Sequence, residues 1–210
     1  MTSEPDVQQP NRLPRGTLDR KAVVAAALEL ADREGLAGVT MGRVAGALGT
    51  RPASLYRHLR DKQELLDAIV DLALSELPAI AHDRRSWRVR VEEFALEARR
   101  LALRHPALVE IGLQHHVYGP AATSIGSDAI TLLQEAGFDV ESSFLGFTAL
   151  RNHVLGELAW EISRLRHGAA EFAPGIAGSV TRLDPEAQFV FGLGQLLDGF
   201  EAELRRARRR

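Results

Sequence analysis

Residues 40–62 read TMGRVAGALGTRPASLYRHLRDK, and this segment constrains the fold of the chain more than any other. Thr40 can cap a helix at the start of the segment. The apolar residues that follow it fall at i, i+3, i+4 and i+7, as one face of a helix requires: Met41, Val44, Ala45 and Leu48. Gly49 supplies the left-handed residue that ends this helix, and Pro52 suits the first turn of the next one, where a missing N–H costs nothing. The segment predicts two short helices joined by a glycine turn.

The second of these helices has a polar outer face, while Leu55 and Leu59 point inward. Its outward side chains carry hydrogen-bond donors and one aromatic ring: Arg51, Ser54, Tyr56, Arg57 and His58. Such groups on the second helix of a helix-turn-helix read the groove and the phosphates of DNA. The pattern therefore predicts a DNA-binding helix-turn-helix.

The distribution of charge supports this interpretation, although the net charge of the whole chain is −2. Residues 11–60 contain nine basic and four acidic side chains, a local charge of +5, whereas residues 61–81 contain five acidic side chains and one lysine, a local charge of −4. A charge cluster alone is usually just a solvated face, but this one surrounds the helix-turn-helix. We expect the basic end to steer the molecule toward phosphate.

Composition excludes several classes of protein. The 210 residues are 45% apolar, which is enough for a buried core, and no cysteine is available for disulfides, zinc–thiolate sites or thiol nucleophiles. Residues 1–16 are polar and proline-rich without the apolar run of a signal peptide, so we predict a disordered tail there. No segment approaches the roughly 20 apolar residues that span a bilayer. We expect a cytoplasmic protein that makes no membrane contact.

Helical periodicity continues through the rest of the chain, and no segment alternates as a strand would. Thr17 is a possible cap for the first helix. We predict an all-α fold with four parts. These are a disordered tail at 1–16, a three-helix DNA-binding domain with the helix-turn-helix at 17–61, a connecting helix at 62–80, and a larger helical ligand-binding and dimerisation domain at 81–210.

The N-terminal block resembles the TetR family of bacterial transcriptional regulators. The resemblance covers residues 18–77 and lies in Gly49-Thr50, Ser54-Leu55-Tyr56-Arg57-His58-Leu59, Lys62 and Leu65-Leu66. Leu59 stands where many members of the family carry Phe. The resemblance implies that Tyr56 and His58 touch DNA bases or backbone and that Lys62 touches a phosphate.

The predicted DNA-contacting set combines the outer face of the second helix with the residues that flank it. The helix would enter the major groove, and the flanking amides and guanidinium groups would hold the DNA backbone. The set is Thr40, Arg43, Thr50, Arg51, Pro52, Ala53, Ser54, Tyr56, Arg57, His58 and Lys62.

The last helix is apolar around nearly its whole circumference, so it must be covered on more than one side. Glycines in this helix and in the one predicted at 141–166 suggest that helices approach closely there. We predict an isologous four-helix interface between two copies of the chain. Its residues are Gly146, Ala149, Gly156, Phe189, Gly192, Leu196, Gly199 and Phe200. The alternative is a monomer that covers both faces internally.

The C-terminal half resembles the ligand-binding domain of tetracycline repressors in helix layout and glycine positions. The similar segments are HPALVEIG, LLQEAGFDVESSFLGFTAL and FVFGLGQLLDGFEAEL. Gly112 occupies the position of the histidine that holds magnesium in that domain, and Pro78 and Phe94 occupy two of its polar pocket positions. The resemblance therefore implies the fold but not a tetracycline–magnesium ligand.

An apolar or aromatic small molecule is the effector that the C-terminal helices suggest. Apolar side chains would line a pocket between helices, and nearby polar ones would orient the ligand. The predicted set is Phe94, Ala98, Leu101, Ile111, Leu113, Gln114, His115, His116, Phe144, Phe147, Asn152, His153 and Trp160. Each apolar member of this set could equally be ordinary core.

Metal and catalytic sites have weaker support. His153 and Glu157 are four residues apart on one predicted helix, and His115-His116 lie elsewhere. Adjacent histidines point to different faces of a helix, however, and no second acidic partner has suitable spacing. The sequence contains no glycine-rich phosphate loop, nucleophile elbow or HExxH motif. We predict no metal, no cofactor and no enzymatic activity.

Taken together, these features predict a repressor that binds a palindromic operator in double-stranded DNA as a homodimer and is released by a small-molecule effector. Its recognition helices should lie about one DNA turn apart, roughly 34–36 Å. A DNA-binding regulator controlled by a protein partner, with no small ligand, is the second hypothesis. An all-α enzyme is the third.

Overall fold

The computed structural model describes residues 18–80, 83–115, 119–167 and 183–207, and these residues form helices and connecting turns with no strand. In chain order the helices are α1 Arg20–Glu34, α2 Met41–Ala47, α3 Pro52–Leu55, α4 Lys62–Leu74, α5 Trp87–Arg104, α6 Ala107–Gln114, α7 Pro120–Ala136, α8 Val140–His167 and α9 Pro185–Ala207. The predicted all-α fold is confirmed. The predicted tail at 1–16, Thr17 and His116 lie outside the described residues.

The helix-turn-helix has the local chemistry that its sequence predicts. The Thr40 hydroxyl accepts a hydrogen bond from the Arg43 N–H at 3.2 Å and so caps α2. Gly49 has a φ of 62°, in the left-handed region that favours glycine, and Pro52 occupies the first turn of α3. The turn between α2 and α3 is therefore specified by residues within it.

Two helix ends differ from the sequence prediction. The cap of α1 is Asp19, whose Oδ1 accepts a hydrogen bond from the Ala22 N–H at 2.7 Å, so this helix begins at Arg20. Helix α4 ends at Leu74, before the end of the connecting helix predicted at 62–80, and the Ser75 hydroxyl donates to the Leu72 carbonyl at 2.6 Å. Both ends are set by short polar side chains that compete for backbone groups.

Helices α1 to α4 pack around an apolar core that extends into the C-terminal half. Fully buried side chains from these four helices include Val23, Ala27, Val44, Leu55, Leu65 and Ile69. Leu101 of α5 and Ala107, Leu108 and Ile111 of α6 belong to the same cluster. Helix α4, predicted as a connection between domains, is therefore an integral part of the N-terminal core and also contacts α6 and α7.

A second core lies between α5, α7, α8 and α9. It contains Leu132, Leu133, Leu158, Phe189, Leu193 and Leu197, each with at most 2% of its surface exposed. The Arg99 guanidinium donates to both carboxylate oxygens of Glu161, at 2.9 and 2.7 Å, and to Glu186 at 2.8 Å. Because buried charges must be fully paired, these bonds set the register of α5 against α8 and α9.

Asp71 of α4 caps the start of α7 from another helix. Its Oδ1 accepts a hydrogen bond from the Ala121 N–H at 2.7 Å, and α7 has no side-chain cap of its own at Gly119. A Cβ added at Gly119 would lie 2.5 Å from the same oxygen. The close approach of α4 to α7 therefore requires glycine at this position.

Two further polar contacts join α1 and α4 to the C-terminal end of α5. Nδ1 of His105 lies 2.6 Å from Oδ2 of Asp32, and Arg104 donates to Glu76 at 3.1 Å.

Within the described residues, no helix has the length and apolar content that a membrane crossing would need.

Gly119→Ala tests the cap that Asp71 forms. The added methyl group should push the Asp71 carboxylate off the Ala121 N–H and lower the free energy of unfolding by about 0.5–2 kcal/mol, the usual value of a helix cap. Urea unfolding measures this change.

Gly42→Ala is the matched control, because a Cβ there meets nothing within 4 Å. It should leave stability unchanged or raise it by up to about 1 kcal/mol. In an Asp71→Ala background, Gly119→Ala should cost less, since the oxygen that it displaces is gone and only the contact with the Cβ of residue 71, at 3.0 Å, remains. An equal cost in both backgrounds would contradict the assignment of the cap.

Candidate nucleic-acid interface

Helix α3 is held from beneath by the first core and presents its outer side to solvent. Leu55 and Leu59 are 0% and 2% exposed, whereas the Tyr56 side chain is 54% exposed. Seven other members of the predicted DNA-contacting set are also exposed: Thr40, Arg43, Arg51, Pro52, Ala53, Arg57 and Lys62. Ser54 and His58 are half-buried. An exposed tyrosine ring above two buried leucines is available for contact and rigidly placed.

Backbone hydrogen bonds hold α3 in a fixed orientation to α2. The Thr50 N–H donates to the Ala45 carbonyl at 2.9 Å, and the Ser54 N–H donates to the Arg51 carbonyl at 2.9 Å. The Thr50 amide is used inside the turn, so only its half-buried side chain remains available. The Thr40 hydroxyl is likewise engaged in capping α2.

The basic residues of this lobe divide into two groups. Within the described part of the chain, Arg51, Arg57 and Lys62 form no ion pair. Arg43, in contrast, is paired with Glu34 of α1. An unpaired exposed cation can bind phosphate without breaking an existing contact, so the first group is the better placed to hold a nucleic-acid backbone.

The structure also shows a polar cluster beside α3 that the sequence analysis did not assign. Nη1 of Arg20 donates to the His58 carbonyl at 2.8 Å and to Oε1 of Glu64 at 2.6 Å. Oε2 of Glu64 accepts from the Arg60 N–H at 2.8 Å and from Arg60 Nε at 3.0 Å. The capping-box spacing of Asp61 and Glu64 was a detectable signal for part of this cluster, but nothing in the sequence points to Arg20.

These contacts change the acidity of Glu64. Hydrogen bonds from the Arg60 backbone N–H, then from the Arg20 and Arg60 side chains, lower the pKa of the Glu64 carboxyl from 4.5 to about 2. The hydrogen bond between the Arg60 side chain and the Glu64 carboxylate also raises the pKa of Arg60. The cluster is therefore fully charged at neutral pH.

Comparison with known proteins identifies both halves of the molecule. Residues 23–69 match the family described as "Bacterial regulatory proteins, tetR family", and residues 78–174 match "Tetracyclin repressor-like, C-terminal domain". The chain belongs to the TetR family. This confirms the resemblance seen in the N-terminal block, together with the division into a helix-turn-helix and a helical C-terminal part.

Relatives of this TetR-family chain match most of its length. The HTH-type transcriptional repressor DrrR1 of Streptomyces coeruleorubidus is 33% identical, with 92% of this chain and 81% of that protein covered. The structure of ActR from Streptomyces coelicolor in complex with actinorhodin has a TM-score of 0.80 and 28% identity, covering 90% of this chain and 97% of that one. A TetR variant from Acinetobacter baumannii AYE in complex with minocycline has a TM-score of 0.71 and 27% identity, covering 89% and 98%.

The residues predicted to bind a ligand in this TetR-family protein are distributed between the two cores and the surface. Leu101 and Ile111 are buried in the first core. Phe94 and Phe147 pack against the second core, while Ala98 and His153 are half-buried. The exposed members are Leu113, Gln114, Phe144, Asn152 and Trp160. Side chains of α9, including Phe189, Leu193 and Leu197, pack in the second core beside α5 and α8.

Two open clefts lie where the N-terminal lobe meets the C-terminal helices. One, of about 500 Å³, is lined by α1, α4 and the start of α7, including Arg20, Lys21 and Asp71. The other, of about 390 Å³, lies between α4 and α6 and is lined by Lys62, Gln114 and His115 among others. The second cleft therefore contains two of the predicted ligand-binding residues.

Most residues predicted for the dimer interface pack within the single chain. Phe189 is 1% exposed, and a Cβ at Gly192 would lie 2.6 Å from the His153 ring. A Cβ at Gly146 would meet Leu133 at 3.2 Å and Phe200 at 3.5 Å. Leu196 and Phe200 also pack against the second core. Close helix approach does explain the buried glycines, but it occurs between helices of one chain.

The other members of that set leave open surface on α8 and α9. A Cβ at Gly156 or Gly199 would meet nothing within 4 Å, and Ala149 is half-buried.

Among the described residues, no group of three or more histidine, aspartate or glutamate side chains is arranged to hold a metal ion.

The lowered pKa of Glu64 predicts how its contribution to stability depends on pH. Because the folded-state pKa lies below the unfolded value, the contribution is complete above about pH 4.5 and is lost as the pH falls toward about 2. The difference in unfolding free energy between wild type and Glu64→Gln should be constant from pH 8 to pH 5 and should shrink below pH 4.5. Urea unfolding at several pH values measures it. A difference that declines between pH 8 and pH 5 would contradict the charged cluster.

Proposed function

We propose that this TetR-family protein is a transcriptional repressor that binds a palindromic operator as a homodimer and releases it when a small molecule binds the C-terminal part. One observation carries the DNA-binding assignment. Tyr56 and Arg57 are exposed in the turn that directly follows α3, next to buried Leu55, and unpaired Arg51 and Lys62 flank them. This places groups for base contact at the centre and groups for phosphate contact at the edges.

In the proposed complex, α3 of each subunit enters the major groove of one half-site. Tyr56 and His58 contact bases or backbone, and Lys62 contacts a phosphate from the first turn of α4. The amide end of α2, capped by Thr40, faces the backbone as well. Arg43 takes part by exchanging its ion pair with Glu34 for a phosphate.

The dimer surface in this proposal is the exposed apolar face of α8 and α9. Leu145 is 64% exposed on α8, and Val190 and Phe191 are 47% and 69% exposed on α9. Ala149 and Gly156 follow Leu145 at spacings of four and eleven residues, on the same side of the helix. A contiguous apolar face on two adjacent helices is typical of a partner-binding surface, and a second copy would cover it symmetrically.

The route from effector to DNA in this proposal runs through α4. Helix α4 shares buried contacts with α6 and receives the start of α7 at Asp71. A ligand that repositions α6 or α7 would therefore tilt α4 and change the separation of the two recognition helices. The ligand acts only through its different affinity for the two separations.

Control by a small molecule is supported by solved relatives that were crystallised with actinorhodin and with minocycline. We propose an apolar or aromatic effector for this chain. Thermal-shift screening separates this proposal from control by a protein partner. An effector present at 100 times its dissociation constant should add about 2.7 kcal/mol to the free energy of unfolding.

Tyr56→Ala tests the groove assignment. Loss of the exposed ring should weaken binding to a duplex selected by the wild-type protein from a random pool by about 10- to 100-fold, the size of one or two base contacts. Fluorescence anisotropy measures the affinity, and sedimentation should show an unchanged oligomeric state. Wild-type affinity in the variant would refute the groove assignment.

Lys62→Ala tests the phosphate contact. The slope of log K against log salt should become less steep by about one unit, because one fewer counterion is released. Lys21→Ala removes the same charge from the exposed surface of α1 and should leave the slope unchanged. The phosphate contact is wrong if both variants have the wild-type slope.

Phe191→Glu tests the dimer surface. A charge at this position should convert the protein to a monomer at micromolar concentration, because the buried carboxylate would have no partner. Leu113→Glu is the matched control, since Leu113 is 56% exposed on α6 and is not part of the proposed surface on α8 and α9. Sedimentation measures both variants. A wild-type protein that sediments as a monomer would overturn the two-fold arrangement.

A further inference from the structure

The polar cluster formed by Arg20, Arg60 and Glu64 joins α1 and α4 to the segment that follows α3. Arg20 lies at the start of α1, Glu64 in the first turn of α4, and Arg60 between α3 and α4. Through Arg20, α1 is bonded to the His58 carbonyl, and through Glu64, α4 is bonded to the Arg60 N–H. The cluster thus holds backbone atoms on both sides of residue 59.

Helix α3 depends on outside support for its orientation. It has only four residues, so its own hydrogen bonds give it little rigidity. Buried Leu55 and Leu59 prevent it from lifting away from the core. They do not prevent the segment from rotating about the line that joins them. The bonds from Arg20 and Glu64 to the backbone at His58 and Arg60 restrict that rotation.

The energetics of the cluster favour a role in positioning. The side chains of Arg20 and Arg60 are 48% and 86% exposed, and exposed ion pairs contribute little to stability. Glu64 also places a negative charge inside the basic lobe, which weakens the attraction to phosphate. A carboxylate here is therefore unfavourable for affinity, and its particular contact is the bond with the Arg60 N–H.

We propose that Arg20 and Glu64 are positioning residues that hold the recognition helix at the angle required for sequence-specific contact. This inference rests on the proposed DNA-binding function and adds residues that act through Tyr56 and Arg57 without touching the operator. A positioning role can be distinguished from an effect of charge by comparing the affinities for specific and non-specific DNA. Positioning governs the ratio of specific to non-specific affinity, whereas charge governs both affinities in the same direction.

The first experiment compares Glu64→Gln with Asp67→Asn. Both changes remove one negative charge from α4, but within the described part of the chain the Asp67 carboxylate accepts a hydrogen bond only from the Gln63 side chain, at 3.1 Å. Affinities are measured by anisotropy for the duplex selected from a random pool and for a scrambled duplex of equal length. Glu64→Gln should lower the ratio of the two affinities by about tenfold, because a loosened site loses base contacts. Asp67→Asn should strengthen both affinities equally and leave the ratio unchanged.

The second experiment compares Arg20→Ala with Lys21→Ala, which remove the same charge from neighbouring positions on α1. Arg20→Ala should lower the ratio as Glu64→Gln does, and Lys21→Ala should leave it unchanged. The double variant of Arg20 and Glu64 should lose less than the sum of the two single losses, since the bond between the two side chains couples their separate contacts with the backbone. Thermal unfolding of each variant confirms that it is folded.

The outcomes separate this inference from the proposed function. A wild-type protein that selects no duplex from the pool would refute the DNA-binding function itself. If the wild type is selective but Glu64→Gln keeps the wild-type ratio, or Asp67→Asn lowers it equally, the positioning role is overturned. Additive losses in the double variant would also overturn it, because they would show that the two residues act separately.

Discussion

The burial of α4 against both halves of the molecule is the constraint on which the rest of the structure depends. Leu65 and Ile69 are completely buried in the N-terminal core, and the same apolar cluster continues into α6 through Ile111. On another side, Asp71 caps α7 at a point where only glycine fits. Because close-packed cores deform little, a shift of α6 or α7 must be passed to α4 and to the helix-turn-helix that it supports.

Charge serves two separate purposes along this scaffold. Buried Arg99 is bonded to both oxygens of Glu161, so its charge is paired and the helices of the C-terminal core gain a defined register. At the other end, Arg51 and Arg57 form no ion pair among the described residues and remain ready for phosphate. Glu64 stands between these cases, since it is ionised near the DNA-binding surface and holds backbone atoms there. The role of each charged side chain in this protein therefore depends mainly on the groups to which it is bonded.

Features decided within a few residues could be predicted from the sequence. Thr40 caps α2, Gly49 makes the left-handed turn and Pro52 opens α3, because each depends only on neighbouring backbone groups. The exposure of Tyr56 above buried Leu55 followed from the helical period in the same way. The family resemblance rested on these local residues too, which explains why it pointed to the correct fold.

The sequence by itself determined that the chain is helical, where the helix-turn-helix lies, and that α9 must be covered on more than one side. Only the tertiary structure decided what covers it. Phe189 and Gly192 face the same chain, whereas Phe191 faces outward. Likewise, Arg20 donates a hydrogen bond to Glu64, although the two residues are 44 positions apart in the sequence. Periodicity shows that a face of a helix is apolar. The partner of that face depends on how helices far apart in the sequence pack together, and no local sequence pattern specifies this packing.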